Sequence, residues 1–367
     1  MSIICTKNSI VNMAKSSVYI VLMALNFVFL VSCGSDNPIQ RDNVESANNS
    51  YKQCNESYCG RGQYIAYDKR DIIIGEINGN PSIYFSNMEM EQGIIYSNPE
   101  CYGIYDIVLE REWIYFTERF GKTRDNMKHY ISCVKVDGTG YRKIKECQAR
   151  MLCVYAGNLY YKNNDTLKYY DVVKKTEKEI TDYVSEFCYD DGKLYLFNYH
   201  NKEAIVIDIE TGETTMIDRI FRKPIVRKNE IYYIRDKSED DAFREDDVYY
   251  ICKKGVDSKE EILYSTTDYV FSFVVLDESI LVSQGTVNDS SELWEQKVDD
   301  ISNRQAKLIQ VQLGNSKETV IREDLSYGTE IYSTLNKLYF SIEKWNGKRW
   351  IYHDESLALN TRFGLCQ

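Results

Sequence analysis

From about Tyr64 onward the chain runs as short stretches of alternating apolar and polar residues, each closed by Asn, Asp or Gly. Alternation at period two predicts half-buried strands, and no stretch carries the spacing of a long amphipathic helix. The first unit reads Tyr64–Tyr67, Ile72–Ile74, Ser82–Phe85 and Ile94–Tyr96. The sharpest unit follows it. There Trp113-Ile-Tyr-Phe116, Tyr130–Val136 and Tyr141–Lys145 are strands, and Asp137-Gly-Thr-Gly140 reverses the chain between the last two. Looser copies continue almost to the C-terminus, among them Leu159-Tyr-Tyr161, Leu194-Tyr-Leu-Phe197, Ile231-Tyr-Tyr-Ile234 and Leu338-Tyr-Phe340.

Anchoring each unit on its second strand, at Ile73, Ile114, Leu159, Leu194, Ile231, Ile280 and Leu338, gives intervals of 41, 45, 35, 37, 49 and 58 residues. Repeats of about 40–50 residues with four strands apiece are the arithmetic of β-propeller blades. The expectation is an all-β propeller of four-stranded blades, seven by this count, with six or eight as the alternatives. The long intervals place insertions after Ile234, where an acidic run reaches Asp247, and after Val282, reaching Ala306. The seventh unit lacks a distinct fourth strand. Closure of the ring therefore falls either to Tyr64–Tyr67, borrowed from the N-terminal side, or to Leu357–Leu365.

Composition supports sheet, since 31 Tyr outnumber 13 Phe and 4 Trp, and Tyr suits strands whose ring packs while its hydroxyl reaches water. The formal charge is −11, and removing residues 1–32, which carry Lys7 and Lys15 and no acidic residue, takes it to −13. That balance opposes nucleic acid as a partner, because cationic side chains must replace its condensed counterions.

The N-terminal stretch changes the picture of where the domain works. An apolar run from Val18 to Val31, broken only by Asn26, follows Lys15. It is short for a membrane span, which needs about 20 residues, and suits a secretory signal. Leu30-Val-Ser-Cys33 resembles the bacterial lipobox. That resemblance implies cleavage before Cys33 and diacylglycerol on its thiol, with the lipid as membrane anchor in the extracytoplasmic cell envelope. Met13 is the more typical start than Met1. The expected organisation is a lipoprotein signal peptide over 1–32, the lipidated Cys33 with a flexible polar tether over 33–62, and the propeller over 63–367.

The blade Trp113-Ile-Tyr-Phe116 with Val134-Lys-Val-Asp-Gly-Thr-Gly-Tyr-Arg-Lys-Ile144 resembles the propeller repeat of the low-density-lipoprotein-receptor type and its uncharacterised bacterial relatives. Other units replace Asp-Gly-Thr with Glu210-Thr-Gly212 or Leu313-Gly-Asn315, and the receptor-type tetrad of Tyr, Trp, Thr and Asp is absent. The resemblance implies ligand or protein binding and supplies no catalytic residue.

Candidate chemistry is sparse. His129, His200 and His353 have no mutual metal-ligand spacing and read as surface histidines. The acidic run before Asp247 lacks an ordered calcium-ligand spacing. No nucleophile elbow, phosphate loop or dinucleotide fingerprint is present, so neither cofactor nor catalytic residue is assigned. Cys133, Cys153, Cys188 and Cys252 lie in strand patterns and read as small buried apolar residues. Cys54 and Cys59 are the candidates for a local disulfide, with a bridge to a distal Cys or two reduced thiols as the alternatives. The expected function is a lipid-anchored binding or scaffold module with a protein or carbohydrate partner. The alternative is a carbohydrate-active enzyme, a glycan lyase or hydrolase with carboxylates at the central channel.

Overall fold

The structure, a computed structural model, describes residues 64–365 apart from 68–69, 88–91, 124–125, 221, 238–247, 257, 286–305, 326–328, 334–336, 346–349 and 361–363. Six four-stranded antiparallel blades follow one another along the chain. The first holds β1 (Tyr64–Tyr67), β2 (Arg70–Ile77), β3 (Asn80–Asn87) and β4 (Gln92–Ser97). The second holds β5 (Cys101–Glu110), β6 (Trp113–Phe120), β7 (Lys128–Lys135) and β8 (Arg142–Glu146), and the third β9 (Arg150–Tyr155), β10 (Asn158–Asn163), β11 (Thr166–Asp171) and β12 (Thr176–Thr181). The fourth comprises β13 (Glu186–Asp190), β14 (Lys193–Asn198), β15 (Glu203–Asp208) and β16 (Thr214–Asp218). The fifth comprises β17 (Arg222–Arg227), β18 (Glu230–Asp236), β19 (Tyr249–Gly255) and β20 (Glu261–Thr266). The sixth comprises β21 (Tyr269–Val275), β22 (Ser279–Gly285), β23 (Ala306–Gln312) and β24 (Glu318–Leu325).

The count of seven separate blades needs correction at the C-terminus. β25 (Tyr332–Ser333), β26 (Lys337–Trp345), β27 (Trp350–Asn360) and β28 (Gly364–Leu365) join the sheet of the sixth blade through the pair Leu325↔Ile342. They are a terminal unit hydrogen-bonded to its neighbour. The fourth strand of this unit, β28, is two residues long, which is why its sequence pattern is indistinct. Tyr64–Tyr67 is not lent across the seam, because it pairs with β2 inside its own blade.

Burial grades from axis to rim. The first strand of the fourth blade is buried along its whole length, whereas β12, Thr-Glu-Lys-Glu-Ile-Thr, is almost entirely exposed. First strands of neighbouring blades contact one another and line the axis. Each core cluster lies between two successive units, from Ile72 and Ile83 against Leu109 and Phe116 at the first interface to Leu281 and Leu308 against Leu338 and Phe340 at the last. Alternation on the second strands builds these interfaces. Leu159 and Tyr161 face the preceding blade while Tyr160 faces the following one, and Ile231, Tyr233 and Tyr232 repeat that arrangement. Blades thus bury both faces only by stacking, so every added blade contributes apolar burial at about 25 cal/mol per Å2.

The Asp137-Gly-Thr-Gly140 turn is as expected from its residues. Asp137 accepts hydrogen bonds from the backbone and hydroxyl of Thr139, and Gly138 has φ +84°. Gly140 lies so close to the Trp113 ring that a Cβ there would come within 2.9 Å of it. Trp113 itself packs against the cluster between the second and third blades.

Candidate binding face

The blade topology separates two ends of the ring. Tight turns join first to second and third to fourth strands at one end, stitched together by bonds such as the Ile209 N–H to the Gly192 carbonyl and the Leu313 N–H to the Glu278 carbonyl, both 2.9 Å. At this turn end an ionisable residue closing a first strand clamps the next blade. Glu110 accepts from the Gly157 N–H and Asp190 from the Asn229 N–H, while Arg227 reaches the Val275 carbonyl and Asp277.

The other end, here the loop end, carries the connections between second and third strands and those between blades. Its seams are bonds such as the Val184 N–H to the Asp165 carbonyl and the Ile220 N–H to the Lys202 carbonyl. Both long insertions belong to this end. Residues 237–248 join β18 to β19 and residues 286–305 join β22 to β23, the same connection in adjacent blades.

Aromatic and cationic side chains collect where first strands begin at the loop end. Tyr102 and Tyr105 are 50% and 42% exposed, and the Arg119 guanidinium lies 4.3 Å from the Tyr102 ring and 5.7 Å from that of Tyr105. Burial, with the charges of Arg119 and Arg150, lowers His129 below the usual imidazole range, so it stays neutral at physiological pH. Arg222 donates to the Tyr269 hydroxyl and stacks over that ring. Lys223, beside it at φ +49°, pairs with Glu330 at 2.8 Å. That ion pair runs from the fifth blade to the segment before β25, past the sixth blade.

Carboxylates on the first strands hold protein donors. Asp106 accepts from the Met151 N–H at 3.2 Å, and Glu186 accepts from the Tyr199 hydroxyl. Away from the axis, Glu118 is fully buried between the first two blades and accepts from the hydroxyls of Tyr96 (2.8 Å), Tyr141 (2.7 Å) and Ser132. The rings of Tyr96 and Tyr141 stack at 4.8 Å. Burial raises Tyr141 to about 12, its hydrogen bond with Tyr96 opposing the rise and Glu118 adding to it. The phenol therefore remains a donor across the physiological range.

A cavity of about 320 Å3 opens at the loop end between the third and fourth blades, lined by Asp165, Tyr183, Ser185, Asn198, His200 and Asn201 together with Val184. His200 is thus a sequence-named histidine that lines this cavity. His129 is half-buried beside arginines, and His353 lies on β27, where its backbone pairs with Ile342. Tyr183 is absent from the sequence expectations. Its signal is a lone aromatic in the polar connector Thr181-Asp182-Tyr183-Val184-Ser185.

Cys133, Cys153, Cys188 and Cys252 are buried free thiols, as is Cys101, and Cys147 is half-buried. Burial pushes the Cys252 thiol up to about 12, which removes nucleophilic character. Cys33, Cys54, Cys59 and most of the acidic insertion lie outside the described residues. Among the described residues no group of three or more His, Cys, Asp or Glu is placed to hold a metal ion.

No family model matches the chain, and no curated protein matches it. Among solved structures it is similar to the β-propeller domain of the trilobed protease from Pyrococcus furiosus, at 14% identity and a TM-score of 0.45, over 71% of this chain and 86% of that one. It is also similar to Hsv2p of Kluyveromyces lactis, at 10% identity and a TM-score of 0.44, over 80% and 97% of the two chains. The fold stands on the strand order of this chain itself: an all-β propeller of six four-stranded blades and a terminal unit bonded to the last of them.

Proposed function

We propose that this chain is a lipid-anchored extracytoplasmic β-propeller that acts as a binding or scaffold module, with its partner engaged at the loop end. The observation that carries the reading is the shared position of the two insertions. Residues 237–248 and 286–305 join strands at the same end of adjacent blades, whereas the longest connection between strands at the opposite end is the one from Lys135 to Arg142. Loops that vary on a rigid scaffold are the usual place for binding residues. The resemblance of the Trp113–Ile144 blade to receptor-type propellers agrees with binding, and Leu30-Val-Ser-Cys33 supplies the anchor.

Carboxylates on the first strands are occupied by protein donors, so the glycan lyase or hydrolase alternative draws no support from them. A protein or carbohydrate partner suits the exposed tyrosines of the loop end, which offer an apolar ring and a hydroxyl together. The anchor is tested by growing cells with a labelled fatty acid. Label on the wild-type chain that disappears in Cys33→Ala, with release of the variant from the membrane fraction, is the expected result. Equal label on both removes the anchor from the account.

A further inference from the structure

The cavity between the third and fourth blades is built by three separate connections. Asp165 comes from the β10–β11 turn, Tyr183 and Ser185 from the β12–β13 connection, Asn198 from the end of β14, and His200 and Asn201 from the β14–β15 turn. Backbone bonds fix them to one another: the Val184 N–H to the Asp165 carbonyl at 3.0 Å, and the Ser185 N–H to the Phe197 carbonyl at 2.8 Å. The Tyr199 N–H donates to the Ser185 hydroxyl oxygen at 3.1 Å. The lining is therefore positioned before any ligand arrives, which lowers the ordering cost of binding.

Polar capacity in the cavity is partly unspent. The Asn198 side-chain oxygen accepts from the Asn201 N–H, leaving the Asn198 amide group to donate. The Asn201 amide group donates to Glu203, leaving its carbonyl oxygen to accept. Among the described residues the His200 ring has no hydrogen-bond partner. Tyr183 is 76% exposed, and its φ of +62° makes it the one aromatic residue in the left-handed region among the described residues. That conformation is disfavoured for a bulky side chain, and such a residue kept at a rim is a pointer to function.

We propose that this cavity binds a neutral saccharide, one sugar ring lying on the Tyr183 face while its hydroxyls exchange hydrogen bonds with Asn198, Asn201, His200 and Asp165. The proposal rests on the reading of the loop end as the binding face. An exposed aromatic plane beside planar amide, imidazole and carboxylate groups matches the two surfaces of a sugar, its C–H face and its hydroxyl rim. A purely apolar ligand would strand those polar groups. The volume of about 320 Å3 is at the small end of the about 300–1,000 Å3 typical of ligand sites, which suits one or two rings. Charge selects the neutral class. Lys162 already donates to the Ser185 carbonyl at 2.8 Å and pairs with Asp165 at 3.4 Å. The overall negative charge of the chain then opposes an anionic sugar.

The test is saturation-transfer difference NMR on the full-length protein in a detergent without a sugar headgroup, with cellobiose, maltose and N,N′-diacetylchitobiose as probes and glucuronate as the anionic comparison. The expected result is transfer to at least one neutral disaccharide, weakened about tenfold by Tyr183→Ala, weakened by Asn198→Ala and restored by Tyr183→Trp. Tyr183→Gly is expected to keep or raise the Tm, because it relieves the backbone, while losing transfer. Absence of transfer from all three disaccharides overturns the proposal. So does transfer unchanged in Tyr183→Ala, or glucuronate binding as tightly as the neutral sugars. If the sugars fail while fatty-acid label at Cys33 and loop-end crosslinking persist, the saccharide assignment falls and the anchored binding module stands.

Discussion

The Tyr339 hydroxyl donates to the Asp71 carboxylate at 2.6 Å, joining β26 to β2 across 268 residues of sequence. Both side chains are buried, and Tyr339 occupies the second-strand position at which Tyr115, Tyr160, Tyr195 and Tyr232 face the following blade. The blade that follows the terminal unit is the first one. Among the described residues the ring is therefore closed by side-chain packing on the ordinary inter-blade face, with no strand exchanged between the chain ends.

Tyr339→Phe removes one donor from a buried carboxylate and keeps the ring. It is expected to cost about 1.5–3 kcal/mol, the range for a hydrogen bond to a charged group. Hydrogen exchange should show β2 and β26 losing protection before the third and fourth blades. A variant with unchanged Tm and unchanged exchange in those two strands would show that the contact does not hold the seam.

Glu118 makes the corresponding argument at the first interface. Glu118→Gln leaves a single strong acceptor for the hydroxyls of Tyr96, Ser132 and Tyr141, and about 1–3 kcal/mol is expected to be lost. Glu118→Leu orphans all of those hydroxyls and should cost more, even though it adds apolar volume. Denaturant unfolding of the two variants checks the order, and a Leu variant more stable than the Gln variant would overturn it.

Glu177 gives stability a pH dependence. Burial opposes its ionisation, yet hydrogen bonds from Lys145, Tyr161 and Lys168 outweigh that and bring it down to about 2, from an ordinary 4.5. A depressed carboxylate contributes stability above its unfolded pKa and loses it as pH falls through the folded one. The loss is thus expected between about pH 4.5 and 2. Solvent screening of this partly exposed group leaves about 1–2 kcal/mol. Urea midpoints of wild type and Glu177→Gln should converge across that window and differ above it.

Much of the fold is legible because the blade is a local object. In Ile114-Tyr-Phe116 and Ile231-Tyr-Tyr233 the alternation alone tells which residues face which neighbour, and Asp137-Gly138 marks its own turn. Pairings between distant residues leave no such trace. Nothing near Leu325 or Ile342 in sequence announces that they bridge the last two units, and nothing near Asp71 announces Tyr339. The first strands are obscured for another reason: irregularities at Asp106 and Met151, both with φ +52°, break the period-two pattern beside the axis. The cavity between the third and fourth blades is assembled from three connections, so its side chains are neighbours only once the blades have stacked.

Which end of the ring meets the partner is the central question, and it is answered by installing a photo-activatable amino acid at one exposed position on each end of the protein in its cell envelope. Tyr102, 50% exposed, reports on the loop end, and Val173, 87% exposed in the β11–β12 turn, reports on the turn end. The account predicts a crosslinked adduct from position 102 and none above background from position 173. An adduct from 173 alone, or equal adducts from both, would contradict it.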